Sequence, residues 1–230
     1  MNHKVGIILG VILVAGLVLA SILITPKEKK VEEDLLGIDY TVEGNESSLS
    51  YDTENPVVAM YIKKYGSFVI ELYPNIAPNT VNNFISLARK GFYDGNTFHR
   101  LMPGFVLQGG DPTGSGSGGP GYNIRGEFTN NGFENNLSHG KWVVSMARAT
   151  PPDTAGSQFF ICLEDASYSL DNSYAAFGKV IDGFDNIERI VQNEKIADTE
   201  SGKLAKNLTI EKALVDVKGK DYPEPETLEE

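Results

Sequence analysis

The pattern of residues predicts a mainly β protein closing, or nearly closing, into a barrel. The prediction rests on many short apolar segments of strand character and on only two stretches with helical periodicity. Strands are expected at 57–62, 67–73, 104–108, 142–147, 158–163, 176–181 and 208–217. The first two are apolar, β-branched and aromatic, and Lys64-Tyr65-Gly66 between them reads as a hairpin turn. After them the period changes: Val81, Phe84, Ile85 and Ala88 fall at i, i+3, i+4 and i+7, with Asn79 or Thr80 placed to cap the start and Gly91 to end it. Phe184, Ile187 and Val191 mark a second helix before the last strand. The glycine-rich stretch 109–121 lacks the Gly-Lys-Ser/Thr ending of a phosphate cradle and no helix pattern follows it, so it reads as a flexible excursion between strands.

Charge separates the folded part from its flanks. Residues 26–55 carry three lysines and nine acids without sustained apolar periodicity, and read as a flexible acidic tether. Residues 219–230, with five acids and two prolines, read as a disordered tail. Between them the chain is nearly neutral, although the whole sums to −11. With no basic footprint, nucleic acid is excluded as a partner. The lone Cys162 cannot form an internal disulfide, and no Cys/His cluster suggests a metal; it reads as a small buried hydrophobe. Asn-x-Ser/Thr matches at Asn45, Asn136 and Asn207 matter only in a host that glycosylates.

Residues 1–4 form a short tail before the segment 5–25, whose apolar and small residues run unbroken to Ile24. As a helix rising about 1.5 Å per residue it would span roughly 30 Å, the hydrocarbon thickness of a bilayer. It reads as a single-pass transmembrane anchor, with a cleaved signal peptide as the alternative because Val18 and Ala20 suit a small-residue cleavage site. Lys27, Lys29 and Lys30 outnumber Lys4 and the terminal amine, which by charge counting would keep the following domain inside. The very short leading tail is that of an exported protein, so an extracytoplasmic domain is expected, secreted if the segment is cleaved.

Three clusters carry the chemistry: Phe98-His99-Arg100 leading through Pro103-Gly104-Phe105 to Gln108-Gly109-Gly110-Asp111, then Ser145-Met146-Ala147-Arg148-Ala149, then Gly156-Ser157-Gln158-Phe159-Phe160-Ile161. Phe177-Gly178-Lys179-Val180 follows. In this order and spacing, residues 56–218 closely resemble the cyclophilin family of prolyl isomerases. The resemblance implies a closed eight-stranded antiparallel β-barrel capped by two α-helices, with an active groove on its outer face. It implies catalytic roles for Arg100 and Gln108, and a proline pocket of Phe105, Val106, Phe160, Leu170 and Tyr174. Ala147 and Arg148 match the stretch whose backbone binds the substrate chain. No cofactor is implied; the partners are proline-containing polypeptides, met by a monomeric folding catalyst.

The chemistry explains these residue types. An X-Pro bond isomerises over a barrier of roughly 18–20 kcal/mol because the twisted amide loses resonance. A guanidinium can donate to the lone pair that twisting restores on the prolyl nitrogen, while apolar burial holds the ring. No proton is transferred, so His99 reads as a structural, hydrogen-bonded histidine rather than a general base, and His139 has no evident partner. Three departures stand out against the family pattern. Ser169 stands where tryptophan is common, which predicts weak cyclosporin binding. Tyr174 replaces a common histidine, and Arg148 a frequent asparagine, which predicts altered substrate preference. The competing readings are a non-catalytic proline-peptide-binding chaperone or scaffold and a surface adhesion protein indifferent to changes in the groove.

Overall fold

The structure, a computed structural model, describes residues 49–229. The tail 1–4, the apolar segment 5–25 and most of the acidic tether lie outside the described residues. Among those described, no helix is long and apolar enough to cross a membrane.

Nine strands form one sheet: β1 (Val57–Ile62), β2 (Gly66–Leu72), β3 (Thr97–Met102), β4 (Val106–Asp111), β5 (Val143–Met146), β6 (Phe159–Cys162), β7 (Ala176–Asp182), β8 (Ile196–Asp198) and β9 (Lys203–Asp216). Their order, β1-β2-β7-β5-β6-β4-β3-β9, is closed by antiparallel pairing of β1 with β9 into an eight-stranded barrel; the short β8 hangs on β9. Closure leaves no free edge among the eight. The α-helices among the described residues are α1 (Pro78–Arg89), a single-turn α2 (Ser167–Leu170) and α3 (Phe184–Asn193). The one-turn α2 lies outside the two-helix expectation; four residues are too few to register a helical period.

The barrel interior is solid. Leu101, Leu107, Ile161 and Val144 stand opposite one another across β3, β4, β6 and β5, all fully buried. Phe84 of α1 joins them, its ring 5.0 Å from that of Phe177 and 5.3 Å from that of Phe159. Neither candidate cap starts α1 with its side chain. The carboxylate of Glu127 accepts from the N–H groups of Asn79 (3.0 Å) and Thr80 (2.8 Å) and from the Thr80 hydroxyl (2.7 Å). The orphan donors of a first turn need an acceptor from somewhere, and here a remote loop supplies it.

Two flanks differ from expectation. Leu49, at the end of the tether, is buried and its N–H donates to the Asp216 carboxylate at 2.7 Å, while the Tyr51 hydroxyl donates to Asp182. The acidic tail, read as disordered, is tied down at Glu224 and Glu226 beside α1 and at Leu228 beyond it. Lys90 and the Ser86 hydroxyl both reach Glu224 at 2.7 Å, the Asn79 side chain pairs with the backbone of Glu226 in both directions, and Leu228 bridges to Asn123. Composition is blind to such specific partners on a neighbouring helix.

Candidate active site

The site begins with a break in period. β3 pairs with both neighbours through register shifts between Phe98 and Arg100. The bulge lets Phe98 and Leu101 both enter the core while Arg100 is turned outward. From there the register carries one outer row across the barrel: Arg100 opposite Gln108, Gln108 opposite Phe160, Phe160 opposite Ser145. Two residues further on, Met102, Val106 and Cys162 form the next row. Cross-strand pairs share a face, so the guanidinium and the apolar slot are brought side by side by strand pairing alone.

Arg100 is half-buried, and burial lowers its pKa from the ordinary arginine value. It has no carboxylate partner among the described residues. Its Nε donates to the Ser201 carbonyl at 2.8 Å and its Nη1 to Gln108 Oε1 at 3.0 Å. Gln108 Nε2 donates in turn to Gln158 Oε1 at 3.0 Å, and Gln158 Nε2 to the carbonyls of Gly116 and Gly118. This relay orients both amides and ties the glycine-rich loop to the site. The loop is itself organised by Asp111: burial pushes its carboxyl up, but the Thr113 hydroxyl and the N–H groups of Thr113, Gly118 and Gly116 outweigh that and hold it at about 2. At Gly118 a Cβ would stand 2.1 Å from that carboxylate, so only glycine lets the loop close there.

The slot beside Arg100 consists of Val106, Phe160, Cys162, Ala166 and Leu170, with Phe105, Ala147 and Tyr174 packed against it. Phe160 meets Tyr174 edge-on at 5.7 Å. All nine residues expected at the site thus fall in one region, with Arg148 at its border. The Arg148 Nε and Nη2 donate to the Ser173 carbonyl and its Nη1 to the carbonyls of Ala149 and Thr150, and its guanidinium lies between the rings of Phe128 (5.0 Å) and Tyr174 (4.8 Å). Beyond it a cleft of about 320 Å³ opens, lined by Gln108, Gln158, Arg148, Thr154, Tyr122 and the 116–120 loop among others. Ser169 is exposed, its hydroxyl donating to the Ala166 carbonyl, and contributes no flat surface.

Two histidines depart from expectation. His99 has no hydrogen-bond partner for either ring nitrogen among the described residues, although it is buried. It is therefore not the hydrogen-bonded histidine expected; the bulge drives its ring under the glycine-rich loop, with Gly116 its near neighbour. His139, without a partner in the sequence, is fully paired: Nδ1 lies 2.8 Å from Asp171 and Nε2 2.9 Å from the Ser145 hydroxyl. Because a carboxylate only accepts, Nδ1 carries the proton and Ser145 donates to Nε2. The arrangement has the outline of an acyl-transfer triad, but Ser145 is fully buried and no substrate can reach it. Its service is to the slot: the His139 ring stacks on Phe160 at 6.1 Å. Gln158, Ser145 and Asp171 gave no separate signal in the sequence, since hydroxyls and amides there are too common to single out.

The geometry agrees with what known proteins display. A family model described as "Cyclophilin type peptidyl-prolyl cis-trans isomerase/CLD" matches residues 57–215. Peptidyl-prolyl cis-trans isomerase B of Bacillus subtilis is 51% identical over 115 residues, covering 50% of this chain and 76% of that protein. The peptidyl-prolyl cis-trans isomerase of Synechococcus elongatus is 43% identical over 141 residues, 58% of this chain and 92% of that one. A crystal structure of a cyclophilin type peptidyl-prolyl cis-trans isomerase from Cryptosporidium parvum superposes with a TM-score of 0.61 at 31% identity, over 70% of this chain and 97% of that chain. A further structure of the same parasite protein was determined in the presence of the dipeptide Ala-Pro. The match runs from the first strand of the barrel to the last, and this chain belongs to the cyclophilin-type peptidyl-prolyl cis-trans isomerase family, an enzyme of the isomerase class.

Proposed function

We propose that the enzyme turns X-Pro bonds without covalent chemistry, by gripping the pyrrolidine ring in the slot of Phe105, Val106, Phe160, Leu170 and Tyr174 while Arg100 donates to the prolyl nitrogen of the twisted amide. The observation that carries this reading is a half-buried guanidinium beside an apolar slot, oriented by two oxygen acceptors and free of any carboxylate among the described residues. A carboxylate partner would compete for the donors; carbonyl and amide oxygens aim them without cancelling the charge. In the planar amide the nitrogen has no lone pair to offer, so the interaction strengthens only as the bond turns, which is what lowers a barrier. A hydrogen bond from a charged donor contributes about 1.5–3 kcal/mol, one to two powers of ten in rate, and the fixed ring supplies the rest by orientation. Gln108 holds Arg100 and faces the substrate chain, with Ala147 and Arg148 beside it.

The substrates on this reading are proline-containing polypeptides, in keeping with the relative's structure determined in the presence of the dipeptide Ala-Pro. NMR exchange spectroscopy on an X-Pro peptide tests it: Arg100→Ala should lower kcat/KM by about ten- to a hundredfold with little change in Tm. Equal rates for wild type and Arg100→Ala would overturn the mechanism, and a wild type that binds the peptide without accelerating its exchange would make the protein a proline-binding chaperone or scaffold. For the whole chain the reading is a monomeric folding catalyst held at a membrane by residues 5–25, its domain extracytoplasmic. Protease accessibility on intact cells, with N-terminal sequencing of the mature protein, tests both sidedness and cleavage.

A further inference from the structure

We propose that the tip of the β8–β9 hairpin, residues 198–203, is an arm that positions Arg100, with Gly202 and Asp198 as its positioning residues. The proposal rests on the reading that Arg100 acts on the twisted amide. Along β9, pairing with β3 holds at Thr209 and Leu208, lapses, and resumes only at Lys203, directly opposite Arg100. There the hairpin tip grips β3 through two successive carbonyls. Ser201 O accepts from Arg100 Nε at 2.8 Å, and Gly202 O accepts from the Leu101 N–H at 2.8 Å. The first of these bonds fixes rotation at the far end of the arginine side chain. Gln108 takes one N–H of Nη1, and Nη2 lies against the Met102 sulfur, a weak acceptor. The donors left for a substrate amide are therefore aimed before it arrives.

Close approach of the tip depends on Gly202. The residue is buried in the left-handed region at φ +75, and a Cβ on it would stand 2.5 Å from Met102 Cγ and 2.8 Å from the Leu101 carbonyl oxygen. Any side chain would lift the tip from β3 and pull away both carbonyls. Asp198 gives the tip its shape. Its carbonyl accepts from the Gly202 N–H at 2.9 Å, and its carboxylate from the Glu200 N–H at 3.0 Å and the Ser201 hydroxyl at 2.7 Å. Asp198 is exposed on the hairpin, so it reaches the chemistry only through Ser201 and Gly202.

The test uses the full-length protein and an X-Pro peptide, with kcat and KM from NMR exchange and with the Arg100 Nε–H resonance followed for protection against solvent. Gly202→Ala is expected to lower kcat about tenfold with KM within about twofold, the size of one charge-assisted hydrogen bond. Asp198→Ala is expected to act in the same direction but less, and in both variants the Nε–H should lose protection. Should Gly202→Ala fail to fold, Asp198→Ala on the exposed tip carries the test alone. Gly219→Ala, which introduces a side chain at φ +69 where nothing lies within 4 Å, should leave kcat, KM and the Nε–H signal unchanged. Folded variants with wild-type kcat, or with reduced kcat but an Nε–H as protected as in wild type, would overturn the arm. A wild-type rate in Arg100→Ala would instead remove the mechanism on which the arm depends.

Discussion

A single arginine shows how far side chains depart from the roles their positions suggest. Position 148 was expected to serve through its backbone, yet four hydrogen bonds and two ring faces engage the Arg148 side chain. It ties the 149–150 loop to Ser173 and backs Tyr174, one wall of the slot. Arg148→Ala should therefore raise KM several-fold while kcat changes less, and Arg148→Lys should not restore KM, because an ammonium can neither stack between rings nor fork to carbonyls. Steady-state kinetics on one X-Pro peptide separates the two constants. At Ser169 the expected outcome is weak cyclosporin binding; a nanomolar Kd by calorimetry would contradict it.

At the scale of elements, the design of α1 is unusual in borrowing its cap. Pro78 opens the helix without an N–H to satisfy, and Glu127, 47 residues beyond Thr80, serves the donors that follow. Glu127→Ala strips three hydrogen bonds from a buried helix end and should cost about 2 kcal/mol, seen as a fall of several degrees in Tm. The isomerase rate at temperatures well below Tm should survive, because α1 plugs the barrel and lines no part of the slot. The β3 bulge matters in the opposite way. It seats Phe98 and Leu101 in the core and by the same register shift turns Arg100 outward, so unlike the α1 cap it reaches the site as well as the core.

The whole molecule responds to acid through its buried titratable groups. Burial lowers the pKa of both His99 and His139, the latter against the opposing pull of Asp171. In the unfolded chain both return to the ordinary value near 6.5 and take up protons first. Stability is therefore complete above that pH and declines as pH falls below it, with a second loss below the ordinary carboxylate range as Asp111, held at about 2 when folded, is forced to protonate. Denaturant melts from pH 8 to 4 should show the first decline, and His139→Gln, though less stable, should show a shallower one. On the mechanism proposed above, in which an arginine acts and no proton moves, the catalytic rate should stay level from pH 6.5 to 8.

Strand runs such as Val57–Ile62 and the 3.6-residue period of α1 and α3 are visible along the chain because each depends on near neighbours, and the clusters around Arg100, Ala147 and Phe160 are distinctive enough to name the family. β3 escaped because its bulge breaks the two-residue alternation by which a strand is recognised. The rest was out of reach for a different reason. Ser201 holds Arg100 across 101 positions and Asp171 holds His139 across 32. Periodicity and motif carry information only between residues close in sequence, so the family could be read directly, whereas the aim of the Arg100 guanidinium, the support beneath Phe160 and the ordered tail were decided only when barrel closure brought distant residues into contact.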